Sequence, residues 1–210
     1  MKKKRYLFWS FFFLSLFAGW TMAVSNLDVQ AIGPVGTSVG FAELNSFVHN
    51  LTGIHMKLYA LTDWLGFIPL FIVMGFALLG LTQWVQRKSI LKVDRSILIL
   101  GGFYLFTLGV FLFFENCVIN FRPVLIEGML EASYPSSTTM LVICVMSTAV
   151  IQMEERIHNC EQKSRAAVLI YGFTVFMVAG RLLSGVHWFT DIVGGILVSI
   201  GLVLLYAGIQ

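Results

Sequence analysis

Three residues near the C-terminus have the types and spacing to handle a phosphoryl group: Arg181, His187 six positions on, and Asp191 four beyond that. An imidazole nitrogen can attack phosphorus, and a carboxylate one helical turn away is spaced to hold the other ring nitrogen. A guanidinium offers a rigid fork of donors to phosphate oxygens, and Arg122 would supply a second, enough together to neutralise most of a phosphoryl group's charge. Pro135-Ser136-Ser137-Thr138 precedes an apolar run. The free N–H groups and hydroxyls at such a helix start form an anion site, although an ordinary helix cap reads the same way.

These residues must be held by membrane helices. Of 210 residues 58% are hydrophobic and only 12% charged, with a mean hydropathy of +0.84, whereas soluble domains carry about 25% charged residues. Six apolar runs span about 6–24, 64–85, 97–114, 135–153, 166–183 and 192–209, and each fits the roughly 17–25 residues a helix needs to cross a bilayer. None alternates as a barrel strand would. The expected fold is all-α, a polytopic six-helix bundle forming one membrane-embedded domain over residues 1–210.

Eleven of the fourteen Lys and Arg fall before the first run, between the second and third, or between the fourth and fifth. By the positive-inside rule that side is cytoplasmic, with both termini on it. The net charge of +3 thus reports topology, and a nucleic-acid partner is not implied. The 19 apolar residues of the first run exceed a signal-peptide core of about 7–15, which favours a retained anchor in the cell membrane. Cys117, Cys144 and Cys160 fall at three depths, so no disulfide framework is expected.

Between the first two runs lies the one sizeable outer segment, 25–63. A turn at Ile32-Gly33-Pro34-Val35-Gly36 precedes Phe41, Leu44, Phe47, Val48 and Leu51 at helical spacing, which predicts a short interfacial helix or a lid on the bundle. The chemistry-bearing segments, around Glu115–Leu130, Glu131–Thr139 and Arg181–Asp191, all return to the outer face. No metal-ligand cluster, nucleotide loop or redox motif appears, so no cofactor or metal is expected.

Arg122-Pro123, Pro135-Ser136 and Arg181-x5-His187-x3-Asp191 resemble the three signatures of the type 2 phosphatidic acid phosphatase family, K-x6-R-P, P-S-G-H and S-R-x5-H-x3-D, in order and in placement. The resemblance implies metal-free cleavage of lipid phosphates through a phosphohistidine. His187 would be the nucleophile, Asp191 its partner, and Arg122, Arg181 and Ser136 the phosphate-binding residues; Ser137 joins them only through the hydroxyls at the helix start.

This chain departs from the signatures at four positions. Glu115 stands where the first signature has lysine, and is expected to turn away from the site or pair with Arg122 or Arg181. Ser137 replaces the glycine of the second signature, Thr138 its histidine, and Gly180 the serine of the third. The missing histidine is the family's general acid, a contribution of about 10²–10⁴-fold. A lipid alcohol departs badly without a proton, whereas phosphate leaving a diphosphate departs as an anion, which favours a polyprenyl diphosphate substrate over a monoester. His49 or His55 could instead supply the proton. A catalytically weakened lipid-phosphate-binding protein and a lipid phosphotransferase remain as alternatives, and the oligomeric state is open.

Overall fold

The computed structural model describes residues 2–210, Glu155 by its backbone alone. The main helices are α1 (Lys2–Asn26), α2 (Ala42–Thr52), α3 (Met56–Leu65), α4 (Phe67–Arg87), α5 (Arg95–Asn116), α6 (Ser137–Arg156), α7 (Cys160–Leu183) and α8 (Phe189–Ile209). Among the described residues no β-strand forms, only isolated bridges. Among the described residues six stretches are long and apolar enough to cross a membrane: α1, α3 with α4, α5, the first 18 residues of α6, α7 and α8. The chain is therefore an all-α, multi-pass membrane protein.

The crossings alternate in direction, so the end of α1, the starts of α4, α6 and α8, and the ends of α5 and α7 share one end of the bundle. The opposite end carries Lys2–Arg5, Arg87–Arg95 and Arg156–Arg165.

Without a hydrophobic force to drive helices together in lipid, close packing depends on small residues. Along the α1–α8 interface, a Cβ on Gly201 would sit 2.7 Å from Leu14, and one on Gly208 would sit 2.8 Å from Leu7. The Ser10 hydroxyl donates to the Gly201 carbonyl at 2.8 Å. The main core joins Phe17 and Val24 of α1, Leu100 and Phe103 of α5, Met140 and Cys144 of α6, and Val198, Leu202 and Tyr206 of α8.

The segment after α1 folds down onto the start of α8. A 3-10 turn forms at Pro34–Gly36, and α2 follows where the apolar spacing predicts it. Asn45, fully buried, donates to the Thr190 hydroxyl at 3.0 Å and accepts from the Thr190 N–H at 3.2 Å.

The second crossing begins earlier than the apolar run suggests. Helix α3 starts at Met56, and Gly66 joins it to α4, its N–H reaching the Thr62 and Asp63 carbonyls at 3.0 Å. The extension is held by tertiary packing. Buried Thr62 presses against α7 at Gly180, where a Cβ would lie 2.7 Å from the threonine methyl. The serine of the family signature would not fit there without moving α3, a physical reason for that departure.

Candidate active site

Arg181 lies in the last turn of α7, and a tight turn through Gly185 (φ +69) leads to His187. Trp188 then caps α8, its N–H donating to Asp191 Oδ2 at 2.9 Å. A carboxylate three residues into a helix commonly meets an otherwise unpaired N–H in this way. His187 therefore precedes the helix while Asp191 lies inside it, and the expected shared helical turn does not form.

Residues 120–133 fold as a small antiparallel hairpin. Phe121 bridges Ala132, the Arg122 N–H donates to the Glu131 carbonyl at 3.0 Å, and the Ser133 N–H donates to the Asn120 carbonyl at 2.9 Å. Its tip, between Ile126 and Met129, has positive φ at both Glu127 (50°) and Gly128 (79°), the conformation that matches the twist of two-residue hairpins. A Cβ on Gly194 would lie 2.6 Å from the Tyr134 ring. That bare surface lets the hairpin's exit settle onto α8, where the Ser136 N–H reaches the Asp191 carbonyl at 3.0 Å.

The hairpin inserts Ser133 between the two residues whose direct contact the spacing suggests. His187 Nδ1 lies 3.9 Å from Asp191 Oδ2, beyond hydrogen-bond range. Ser133 Oγ lies 2.9 Å from His187 Nδ1 and donates to Asp191 Oδ2 at 2.5 Å. Asn120 donates to the other carboxylate oxygen at 3.3 Å. On the far side of the ring, Arg181 Nη2 donates to His187 Nε2 at 3.4 Å. Burial above all, then the charges of Arg122 and Arg181, holds the imidazole well below its ordinary pKa of 6.5. The neutral ring is thus favoured, the form that leaves one nitrogen without a proton.

The two guanidiniums share one aromatic neighbour. The Tyr59 ring centroid lies 4.9 Å from the Arg181 guanidinium carbon and 5.9 Å from that of Arg122, within cation–π range. Asp63 approaches Arg181 Nη1 at 3.6 Å, and Glu131 approaches Arg122 Nε at 3.1 Å. These pairs lack hydrogen-bond alignment: Nε and Nη1 of both arginines are buried with no hydrogen-bond partner. Each such donor costs about 1–3 kcal/mol, a cost that an anion bound between them would remove.

The remaining expected site residues separate into two groups. Ser136 caps α6, its hydroxyl accepting from the Thr139 N–H at 3.4 Å. Ser137 and Thr138 line an apolar cavity between α4, α5 and α6, away from the guanidiniums. Successive residues on a helix point about 100° apart, so Ser137 and Thr138 present their hydroxyls in different directions, and Ser137 also borders the cleft beside Ser133. Glu115 is exposed at the end of α5, beside Ser137 and Ser133 in a shallow cleft, and pairs with neither arginine. Glu131 and Asp63 take that role.

Of the two loop histidines, His55 Nε2 lies 2.9 Å from the Thr52 carbonyl. His49 packs on Trp188 with ring centroids 5.4 Å apart, and burial lowers its pKa. Ser133, Asn120, Tyr59, Asp63 and Glu131 carry no motif. The one clue to the hairpin pair was alternation: Asn120 with Arg122, and Glu131 with Ser133, repeat at the period-2 spacing of extended chain.

The pattern of the PAP2 superfamily matches residues 70–210. The first transmembrane PAP2-type phosphatidylglycerolphosphate phosphatase from Bacillus subtilis to be crystallised is similar in fold, with a TM-score of 0.57 at 20% sequence identity over 99% of this chain and 94% of that one. No curated protein matches the sequence at significance.

Proposed function

The chain belongs to the PAP2 superfamily, and on that premise we propose that it is a metal-independent lipid phosphatase working through a phosphohistidine at His187. The observation that carries this reading is the pair of buried guanidiniums, Arg122 and Arg181, which keep unpartnered N–H groups and whose charges both act on His187, Arg181 Nη2 lying 3.4 Å from its Nε2. Two fixed cations neutralise the equatorial oxygens of a phosphoryl group as it is attacked, the kind of preorganised charge that contributes most to such barriers. No bound cation is then needed for that task.

A lipid substrate is supported by the cavity between α4, α5 and α6. It measures about 660 Å³, within the roughly 300–1,000 Å³ of ligand sites. Leu70, Ala77, Gly101, Leu108 and Leu141 line its body, and Ser137 and Thr138 form its polar end. A hydrocarbon tail seated there would bring its headgroup to the start of α6. The concentration of basic residues at the other end of the bundle supports an active site facing outside, with both termini cytoplasmic.

Thr138 faces the apolar cavity, which supports a leaving group that departs without a proton. The favoured substrate is accordingly a polyprenyl diphosphate. The test is phosphate release in the presence of chelator from a panel of lipid mono- and diphosphates, by wild type and His187→Ala. Release that survives His187→Ala overturns the mechanism. Faster turnover of phosphatidic acid than of polyprenyl diphosphate overturns the substrate preference alone.

A further inference from the structure

We infer that Ser133 is a positioning residue, the hydroxyl bridge through which Asp191 selects the tautomer of His187 and meets the charge that the ring acquires; the inference rests on the phosphohistidine reading above. Asp191 receives three donors: the Trp188 N–H at 2.9 Å, the Asn120 amide at 3.3 Å and the Ser133 hydroxyl at 2.5 Å. Such a set stabilises the ionised carboxylate, which only accepts.

Ser133 has one proton, and Asp191 takes it. What Ser133 turns toward His187 Nδ1, 2.9 Å away, is therefore a lone pair, so Nδ1 must carry the ring's hydrogen. A neutral imidazole with Nδ1–H has a bare Nε2. That is the nitrogen facing the guanidiniums, and the bond it accepts from Arg181 at 3.4 Å requires the same tautomer. Two independent hydrogen bonds, one on each ring nitrogen, thus agree on the proton's place.

In the first step Nε2 forms a bond to phosphorus, the bond from phosphorus to the leaving oxygen breaks, and its electron pair leaves with that oxygen. The ring gains a positive charge and keeps its Nδ1–H. Ser133 and Asp191 exchange no net proton, and the carboxylate opposes the new charge through the polarised hydroxyl. Water then adds to phosphorus, the N–P bond returns its pair to Nε2, and both protons of that water leave with the phosphate. A direct carboxylate–imidazole contact would do this with one group. Here the 3.9 Å gap between Nδ1 and Asp191 Oδ2 leaves the link to a residue that both donates and accepts, the Ser133 hydroxyl.

The experiment compares wild type, Ser133→Ala, Ser133→Thr, Asp191→Asn, the Ser133→Ala/Asp191→Asn double variant and His187→Ala in metal-free turnover of a lipid diphosphate. Ser133→Ala is expected to lower kcat by about 10–100-fold with KM nearly unchanged, the scale of a misplaced catalytic group. Ser133→Thr, which keeps donor and acceptor, restores most of that loss. The double variant is no worse than Asp191→Asn alone, because residues acting as one unit are not additive. Wild-type kcat in Ser133→Ala, or additive losses, overturns the bridge while an inactive His187→Ala leaves the phosphatase reading standing. Nitrogen-15 NMR of histidine-labelled wild type decides the matter even if Ser133→Ala fails to fold: the proton on Nδ1 supports the bridge, and the proton on Nε2 overturns it.

Discussion

Arg165 at one end of the bundle and Arg181 at the other are the same side chain in opposite circumstances. Arg165 is 76% exposed and pairs with Glu161 one helical turn away at 2.5 Å, and Arg87 pairs in the open with Asp94 at 2.8 Å. Arg181 is 1% exposed, meets Asp63 only at 3.6 Å, and is stacked by Tyr59. At the basic end, charge is solvated and has local partners. At the opposite end Arg122 and Arg181 are buried, their partners come from distant segments, and hydrogen bonds are left unmade. Exposed charge tells which way a chain is threaded, whereas buried and under-satisfied charge is costly and points to a functional site.

The sharpest way to break this contrast is at His187, the proposed nucleophile. His187→Ala is expected to lower metal-free phosphate release by at least about 10³-fold, as removal of a covalent nucleophile does elsewhere, measured in detergent or reconstituted lipid. Next, Arg181→Lys keeps the charge but loses the planar fork, and should lower kcat/KM by about 10²-fold, comparable to losing one preorganised donor set.

A smaller effect comes from the packing that buries Arg181. Gly180→Ser drives a Cβ to within 2.7 Å of Thr62 and should cost about 1–3 kcal/mol of stability, read as a lower melting temperature. Thr62→Ala in the same chain should recover part of it.

Burial also has a pH signature. The folded His187 ring resists protonation, while the unfolded ring takes a proton below its ordinary value of 6.5. Unfolding then takes up a proton, so stability falls as pH drops below about 6.5, by up to about 1.4 kcal/mol per unit. Thermal unfolding across pH should show this slope in wild type and a shallower one in His187→Gln. At the solvated end, Arg165→Ala should change stability by less than about 0.5 kcal/mol and leave turnover intact, which completes the contrast.

Much of the fold is legible in the sequence alone. The six apolar crossings, the helix α2 and the turn at Pro34 follow from apolar run length and helical spacing, which are local properties. Met56–Leu65 was legible only in part, since its helix is held by a contact between Thr62 and Gly180 that no periodicity records. The residue types of Arg181, His187 and Asp191 pointed to phosphoryl chemistry, yet their spacing suggested a direct imidazole–carboxylate bond. The structure replaces it with Ser133, fifty-four positions before the histidine. Thr138 looked equivalent to Ser136 in sequence and lines the apolar cavity instead, while Ser137 borders both that cavity and the cleft beside Ser133.

By itself the sequence determined which segments enter the lipid and which residue types could carry the chemistry, because hydropathy and side-chain reactivity belong to residues one at a time. Only the tertiary structure decided which groups touch: the hairpin over residues 120–133, the close approach at Gly194 and the descent of α3 onto α7. Hydrogen bonds hold only within about 3 Å, and at that scale a site depends on how separate segments pack.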